Sequence, residues 1–159
     1  MILIVISGAK HSKKDLLAMD LASNSDCRWV KPYTTKEVPV NQENWEMDEY
    51  IHLNEKQLAH KMERDNVLIS VDVNGSQYVF FEYQMNSEYV VILGDDRVVS
   101  YLKENWKDKL ITVRCHSNKE EYSERNLLRD SEFDIVYNYD DGDYDDFEAQ
   151  IVYGDLYEK

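Results

Sequence analysis

The chain has 159 residues, a formal net charge of −14, 43% hydrophobic residues and twelve tyrosines. That is enough apolar material for one folded domain with a real core, and it excludes a wholly disordered acidic chain. No apolar run reaches membrane-spanning length, and the acidic balance disfavours nucleic acid or an anionic membrane as a direct partner.

Residues 2–6, Ile-Leu-Ile-Val-Ile, form a β-branched apolar run of the kind covered on both faces of a parallel sheet. A short basic loop follows, and then residues 15–21 read as a helix start with Leu17 and Leu21 on one face. Strand, loop and helix in this order match the phosphate-binding P-loop, G-x-x-x-x-G-K-[ST]. On that template Gly8 is the first glycine and Lys14 the lysine, while Lys13 replaces the second glycine and Asp15 the metal-holding hydroxyl. Lys10, Lys13 and Lys14 with the helix N-terminus make a local positive site, so Gly8, Lys10, Lys13 and Lys14 are the candidate phosphate-binding residues. An ordinary first βα unit with a basic turn fits the same residues, and the motif alone does not separate the two readings.

The opening run lacks the basic flank and cleavage-site features of a signal peptide. Cys27 and Cys115 show neither metal spacing nor a disulfide framework, and the four histidines are scattered. A cytoplasmic protein without a metal site is therefore expected. Charge is uneven: residues 130–159 carry eleven acids against one base, a net of −10. Solubility is the plain account of such a segment. The sharper account is a surface that competes with DNA or RNA for a basic protein.

Residues 28–30 fit a short strand, and Pro32 and Pro39 mark the following stretch as irregular or edge structure. Residues 41–49 read as an exposed loop. The helix at 54–65 is well signalled: Asn54 caps it, Gln57 sits at the third helical position, and Leu53 staples onto Leu58. Residues 67–73 alternate as a strand, Asn74-Gly75 signals a type I′ hairpin, and residues 77–83 return as its partner. Residues 89–93 form another buried-type strand, followed by a helix at 97–106 and a strand at 110–113. Ser117 and Glu120 suggest a capping box opening a helix to about residue 128. Residues 133–137 form the last core strand, and 145–153 fit either a helix or a short strand.

The pattern predicts an α/β fold, with a mainly parallel central sheet flanked by helices and a small inserted β-hairpin lobe. Residues 1–159 form one domain, the lobe spans about 33–83, and the acidic C-terminal segment spans about 138–159.

Taken together, the pieces resemble guanylate kinase over most of the chain. Ile4-Val5-Ile6-Ser7-Gly8 resembles that family's first strand and P-loop entry, and Thr34-Thr35-Lys36 its T-T-R segment. Residues 50–68 resemble the Y-x-F-v-s-r-e-e-F…F-l run of the monophosphate-binding lobe, with Asn74-Gly75 at the same hairpin and Tyr78 on the matching tyrosine. Residues 131–136 resemble the closing F-D-y-v-i-x-N segment. The resemblance implies a P-loop kinase fold, Lys36, Tyr50, Tyr78 and Phe80 in the monophosphate lobe, and Arg125 and Arg129 as lid candidates.

The departures bear on activity. The position of the base-reading glutamate is Ile69, and the nearby serine or threonine becomes Phe80. The arginine pair of T-T-R-x-P-R is reduced to Lys36, which cannot clamp a phosphate bidentately. Phosphoryl transfer depends on positioning and charge stabilisation, so losses at the loop, the clamp and the base argue against efficient catalysis. The leading expectation is a degenerate, non-catalytic guanylate-kinase-like protein that binds another protein, with no cofactor. Its partner would be a basic nucleic-acid-binding protein, held by the acidic segment or by Tyr50, Tyr78 and Phe80. The alternative is an active nucleoside (deoxynucleoside) monophosphate kinase of altered base preference. It would use ATP and Mg, with Lys14 on the transferred phosphate and Lys36 on the acceptor. A nucleotide-binding protein without catalysis and a purely structural domain stay open beside these two.

Overall fold

The computed structural model describes residues 1–37, 49–121 and 128–152. In chain order the elements are β1 (Ile2–Ser7), α1 (Lys14–Asn24), β2 (Cys27–Trp29), β3 (Tyr33–Thr34), β4 (Ile51–His52), α2 (Glu55–Arg64), β5 (Val67–Val73) and β6 (Ser76–Phe81). Then come β7 (Tyr89–Leu93), α3 (Asp96–Asn105), β8 (Lys109–His116), β9 (Ile135–Asn138) and α4 (Tyr144–Val152). Two compact units result, one from Met1–Trp29 with Ser87–Lys159 and one from Val30–Asn86.

The first unit is built on a five-stranded sheet in the order β2-β7-β1-β8-β9, with every neighbouring pair parallel. The strands that the apolar runs identify are thus neighbours in one sheet, and Leu3, Ile4, Val5 and Ile6 of central β1 are wholly buried. Alternation sends Ile4 and Ile6 to one face, where they pack with Leu17, Leu21, Phe147 and Ile151 from α1 and α4. Val98, Val99 and Leu102 are the buried side of α3. Asp95 caps α3, accepting from the Arg97 and Val98 amides at 3.0 and 3.1 Å.

The second unit holds a four-stranded mixed sheet in the order β4-β3-β6-β5. The β5–β6 hairpin turns at Asn74 and Gly75, with φ of 51° and 83°, as a type I′ turn requires. A register shift between Val67 and Ile69 breaks the simple alternation, so Ile69 and Val73 are buried while Val67 is 38% exposed. Helix α2 carries the expected capping box, with Gln57 N donating to Asn54 Oδ1 at 2.7 Å and Asn54 N to Gln57 Oε1 at 3.0 Å. Leu58 packs with Val79 and Phe81, and Leu53 lies against the same cluster.

Two expectations need correction, and one open choice is decided. Strand β8 runs on to His116, because Arg114 has a buried partner and so continues the strand. The capping box at Ser117 opens no helix over the described residues 117–121. The Ser117 hydroxyl instead donates to the His11 carbonyl, and Glu120 turns back to His116. Residues 144–152 resolve as a helix, capped by Asp143, whose carboxylate accepts from Asp146 N at 3.2 Å. The expected exposed loop at 41–49 and the rest of the expected helix, 122–127, lie outside the described residues apart from Glu49.

Candidate functional site

The loop between β1 and α1 lies where the C-terminal ends of β1, β8 and β9 converge, the usual ligand side of a parallel sheet. Its backbone is held from one side. The Cys115 thiol donates to the Ser12 carbonyl at 3.2 Å, Ser117 Oγ donates to the His11 carbonyl, and Glu121 N donates to the Lys10 carbonyl at 2.9 Å. With three successive carbonyls turned towards residues 115–121, planar trans peptides turn the amides of His11, Ser12 and Lys13 the other way. Ser12 N closes onto Ala9 O at 3.0 Å.

Gly8 fits because a Cβ there would run into Ser12 Oγ and stand 2.7 Å from the Cys115 carbonyl oxygen. Ser12 is 1% exposed, and its hydroxyl has no hydrogen-bond partner among the described residues.

Lys13, in the second-glycine position, adopts the left-handed conformation that the motif demands, with φ 64° and ψ 25°. His11 is also left-handed, with φ 64°. Each non-glycine residue held this way costs about 1–2 kcal/mol. The Lys13 ammonium is committed to the Asp140 carboxylate and sits 5.7 Å from the centre of the Tyr139 ring. Asp140 also accepts from the Asn118 amide at 2.8 Å. Lys13 and that amide hold the Asp140 carboxyl below the usual carboxylate range.

Lys14 opens α1, is half-buried, and has no ion-pair partner among the described residues. Asp15 occupies the first turn of α1. Cys115 is wholly buried in the core beneath α1 and α4, and that burial pushes its thiol up to about 12 despite the nearby Lys14 charge, which suits a packing residue. Lys10 is exposed.

On the other face of the sheet lies a buried polar cluster. Asp96 accepts from Ser7 Oγ at 2.8 Å, Arg114 Nη2 at 2.9 Å and Leu128 N at 2.8 Å. Arg114 also donates to the Leu128 carbonyl and stacks 4.4 Å from the centre of the Phe133 ring. His116 links Glu120 at 2.7 Å to Asp130 at 3.0 Å. Of these residues, Asp96, Arg114, His116 and Asp130 were not singled out from sequence, and Glu120 was read only as half of a capping box. The available signal was an acidic pair closing one buried-type strand and an arginine following another.

In the second unit Lys36, Tyr50 and Tyr78 come together. The Lys36 ammonium is 6.0 Å from the Tyr50 ring centre, and the two tyrosine rings are 5.4 Å apart. Phe80 is 2% exposed and belongs to the interior, which removes it as a surface contact. Ile69, at the base-reading position, is 1% exposed and pairs with Phe80 across the hairpin. Arg129 is exposed, and Arg125 lies outside the described residues.

A separate aromatic group surrounds Lys61, whose ammonium lies 4.9 Å from the rings of Tyr33 and Tyr83 and 5.1 Å from Phe81. No cluster of metal-binding side chains occurs among the described residues, and no described helix is long and apolar enough to cross a membrane.

No protein-family model matches the chain, and no curated protein matches it in sequence. Among solved structures it is similar to guanylate kinase from Anaplasma phagocytophilum, with a TM-score of 0.62 over 99% of this chain and 87% of that one. The fold is of the P-loop kinase type. At 10% identity the likeness extends to the fold alone.

Proposed function

We propose that the chain is a non-catalytic protein on a P-loop kinase-like scaffold, acting in a reducing cytoplasm by binding another protein. Its partner is a protein with a basic, nucleic-acid-binding surface, which the acidic C-terminal segment occupies as an inhibitor or regulator. The observation that carries the loss of catalysis is the Lys13–Asp140 pair. The loop cation in the second-glycine position is neutralised from within, and Asp15 adds another carboxylate where a hydroxyl would hold magnesium. Ile69, buried and apolar, offers nothing to a base. Asp141 and Asp145 are exposed and free of the structural tasks that Asp140 and Asp143 perform, which suits a steering role.

The test is affinity capture from the native host, followed by reconstitution with the purified partner. Asp141→Asn with Asp145→Asn is expected to slow association and weaken its salt dependence without changing the fold. An unchanged rate and salt dependence would leave the acidic segment as a solvated end, with Tyr50 and Tyr78 the better interface.

One observation favours the second reading, an active nucleoside or deoxynucleoside monophosphate kinase. Lys14 opens α1 at its motif position with its charge uncommitted among the described residues. In that reading Lys14 contacts the transferred phosphate, Lys36 the acceptor, and ATP with magnesium is the donor.

A further inference from the structure

We propose that His116 is a proton-controlled switch. Charged, it holds Asp130; neutral, it releases Asp130 to the unmet edge of the Arg114 guanidinium. The switch holds whatever the chain binds.

Both ring nitrogens of His116 face carboxylates. Nδ1 stands 2.7 Å from Glu120 Oε1, and Nε2 stands 3.0 Å from each oxygen of Asp130. Only the imidazolium carries an N–H on both nitrogens, so this arrangement is that of the charged ring. Neutral imidazole keeps one N–H, and its other nitrogen then turns a lone pair on a carboxylate. Asp130 is the one to go. Its side chain is 55% exposed against 28% for Glu120, and its contact with the ring is the longer.

A destination is already in place. Arg114 lies two residues before His116 on β8 and so shares its face of the sheet. Its side chain is 2% exposed, and its Nε and Nη1 have no hydrogen-bond partner among the described residues. Asp130 Oδ1 lies 3.8 Å from that Nε, too far for a hydrogen bond and near enough for a side-chain rotation to make one. Buried donors left unmet are costly, and charged ones more so, so the carboxylate that leaves His116 supplies what Arg114 lacks.

The other charges nearby are engaged elsewhere or exposed. From α3, Asp96 takes Arg114 Nη2 at 2.9 Å. Glu121 lies 3.7 Å from His11, and Glu132 accepts from Arg129 N. Lys119 and Arg129 are exposed. Strand β9 sets the uncharged Asn138 opposite His116, and Asp140 beyond it is taken by Lys13 and the Asn118 amide. The two positions of Asp130 therefore form a two-state element biased by one proton. In the first, the turn Asp130–Glu132 is tied to His116; in the second, to the buried Asp96–Arg114 junction.

Double-mutant cycles with His116→Gln and Asp130→Asn test the switch. They are read by urea denaturation at about pH 5.5 and about pH 8.5, either side of the ordinary imidazole range. Coupling between the two side chains belongs to the charged ring. It is expected to be about fivefold in the unfolding equilibrium constant at the lower pH and under about twofold at the higher. In heteronuclear NMR spectra of wild type, the Arg114 Nε–H resonance is expected to move downfield as pH rises and Asp130 arrives. In Asp130→Asn, where every histidine still titrates, it is expected to hold its position.

Equal coupling at the two pH values would reduce the contact to a fixed hydrogen bond and overturn the switch. An Arg114 resonance that stays still in folded wild type would overturn it as well, and that reading needs no variant to fold.

Discussion

Asp96 and Arg114 meet at 2.9 Å with side chains 0% and 2% exposed, the buried junction between the start of α3 and the end of β8. Ser7 and Leu128 satisfy the rest of Asp96, whereas Nε and Nη1 of Arg114 lack hydrogen-bond partners among the described residues. Arg114→Met should destabilise the protein by about 3–5 kcal/mol, because it strands a buried carboxylate. Asp96→Leu combined with Arg114→Met should recover most of that loss. Urea denaturation of the single and double variants checks both statements, and equal losses in the two would contradict the account.

Lys61 links α2 to the aromatic group of its unit and to Asp65, 3.1 Å away. Hydrogen bonding to Lys61 holds the Asp65 carboxyl below its usual range. Burial opposes the Lys61 charge, yet its bonds to Tyr83 and Asp65 leave its pKa raised. A carboxyl with a depressed folded pKa contributes stability above its unfolded pKa and loses it as pH falls through the folded value. Wild type should therefore exceed Asp65→Asn in thermal stability near pH 7, and the gap should close as pH falls below the carboxylate range. A gap that stays constant into acid would contradict the pairing.

His11 and Lys13 share a φ of 64°, but of the two side chains it is that of Lys13 which gains a close ion-pair partner. His11 is exposed, and its 3.7 Å approach to Glu121 is worth little. His11→Gly should raise stability by about 1 kcal/mol through relief of the left-handed strain. Lys13→Gly should gain less, since it relieves the same strain but loses Asp140. Chemical denaturation ranks the two, and a larger gain at Lys13 would mean that the Asp140 contact contributes nothing.

Asn54 and Gln57 satisfy each other's amides at the head of α2. Asn54→Ala should cost about 1 kcal/mol, typical of a lost N-cap. Hydrogen exchange should show the loss as faster opening of the first turn of α2, with the five-stranded sheet unaffected.

Elements whose causes are local were legible in the sequence. The Asn54 box, the Asn74-Gly75 turn and the apolar strands need only neighbouring residues to specify them. What escaped depends on residues distant in the chain. The Ser117–Glu120 box has the right letters, but Ser117 spends its hydroxyl on His11, 106 residues earlier. Arg114 reads as a strand-ending charge until Asp96 is beside it, and Asp140 reads as one acid among many until Lys13 is found against it. The strand, loop and helix of residues 2–24 were legible as a motif with two substitutions. That Lys13 would accept glycine's backbone conformation was not, because the compensating contact lies 127 residues away.

The central claim is that this scaffold does not transfer phosphate, and a coupled assay with ATP, magnesium and GMP tests it most directly. The account predicts turnover below the ordinary enzyme range, under about 1 per second, and no further fall with Lys14→Ala. Repeating the assay with the other nucleoside and deoxynucleoside monophosphates should give the same result. Turnover above about 1 per second with any of them, abolished by Lys14→Ala, would contradict it.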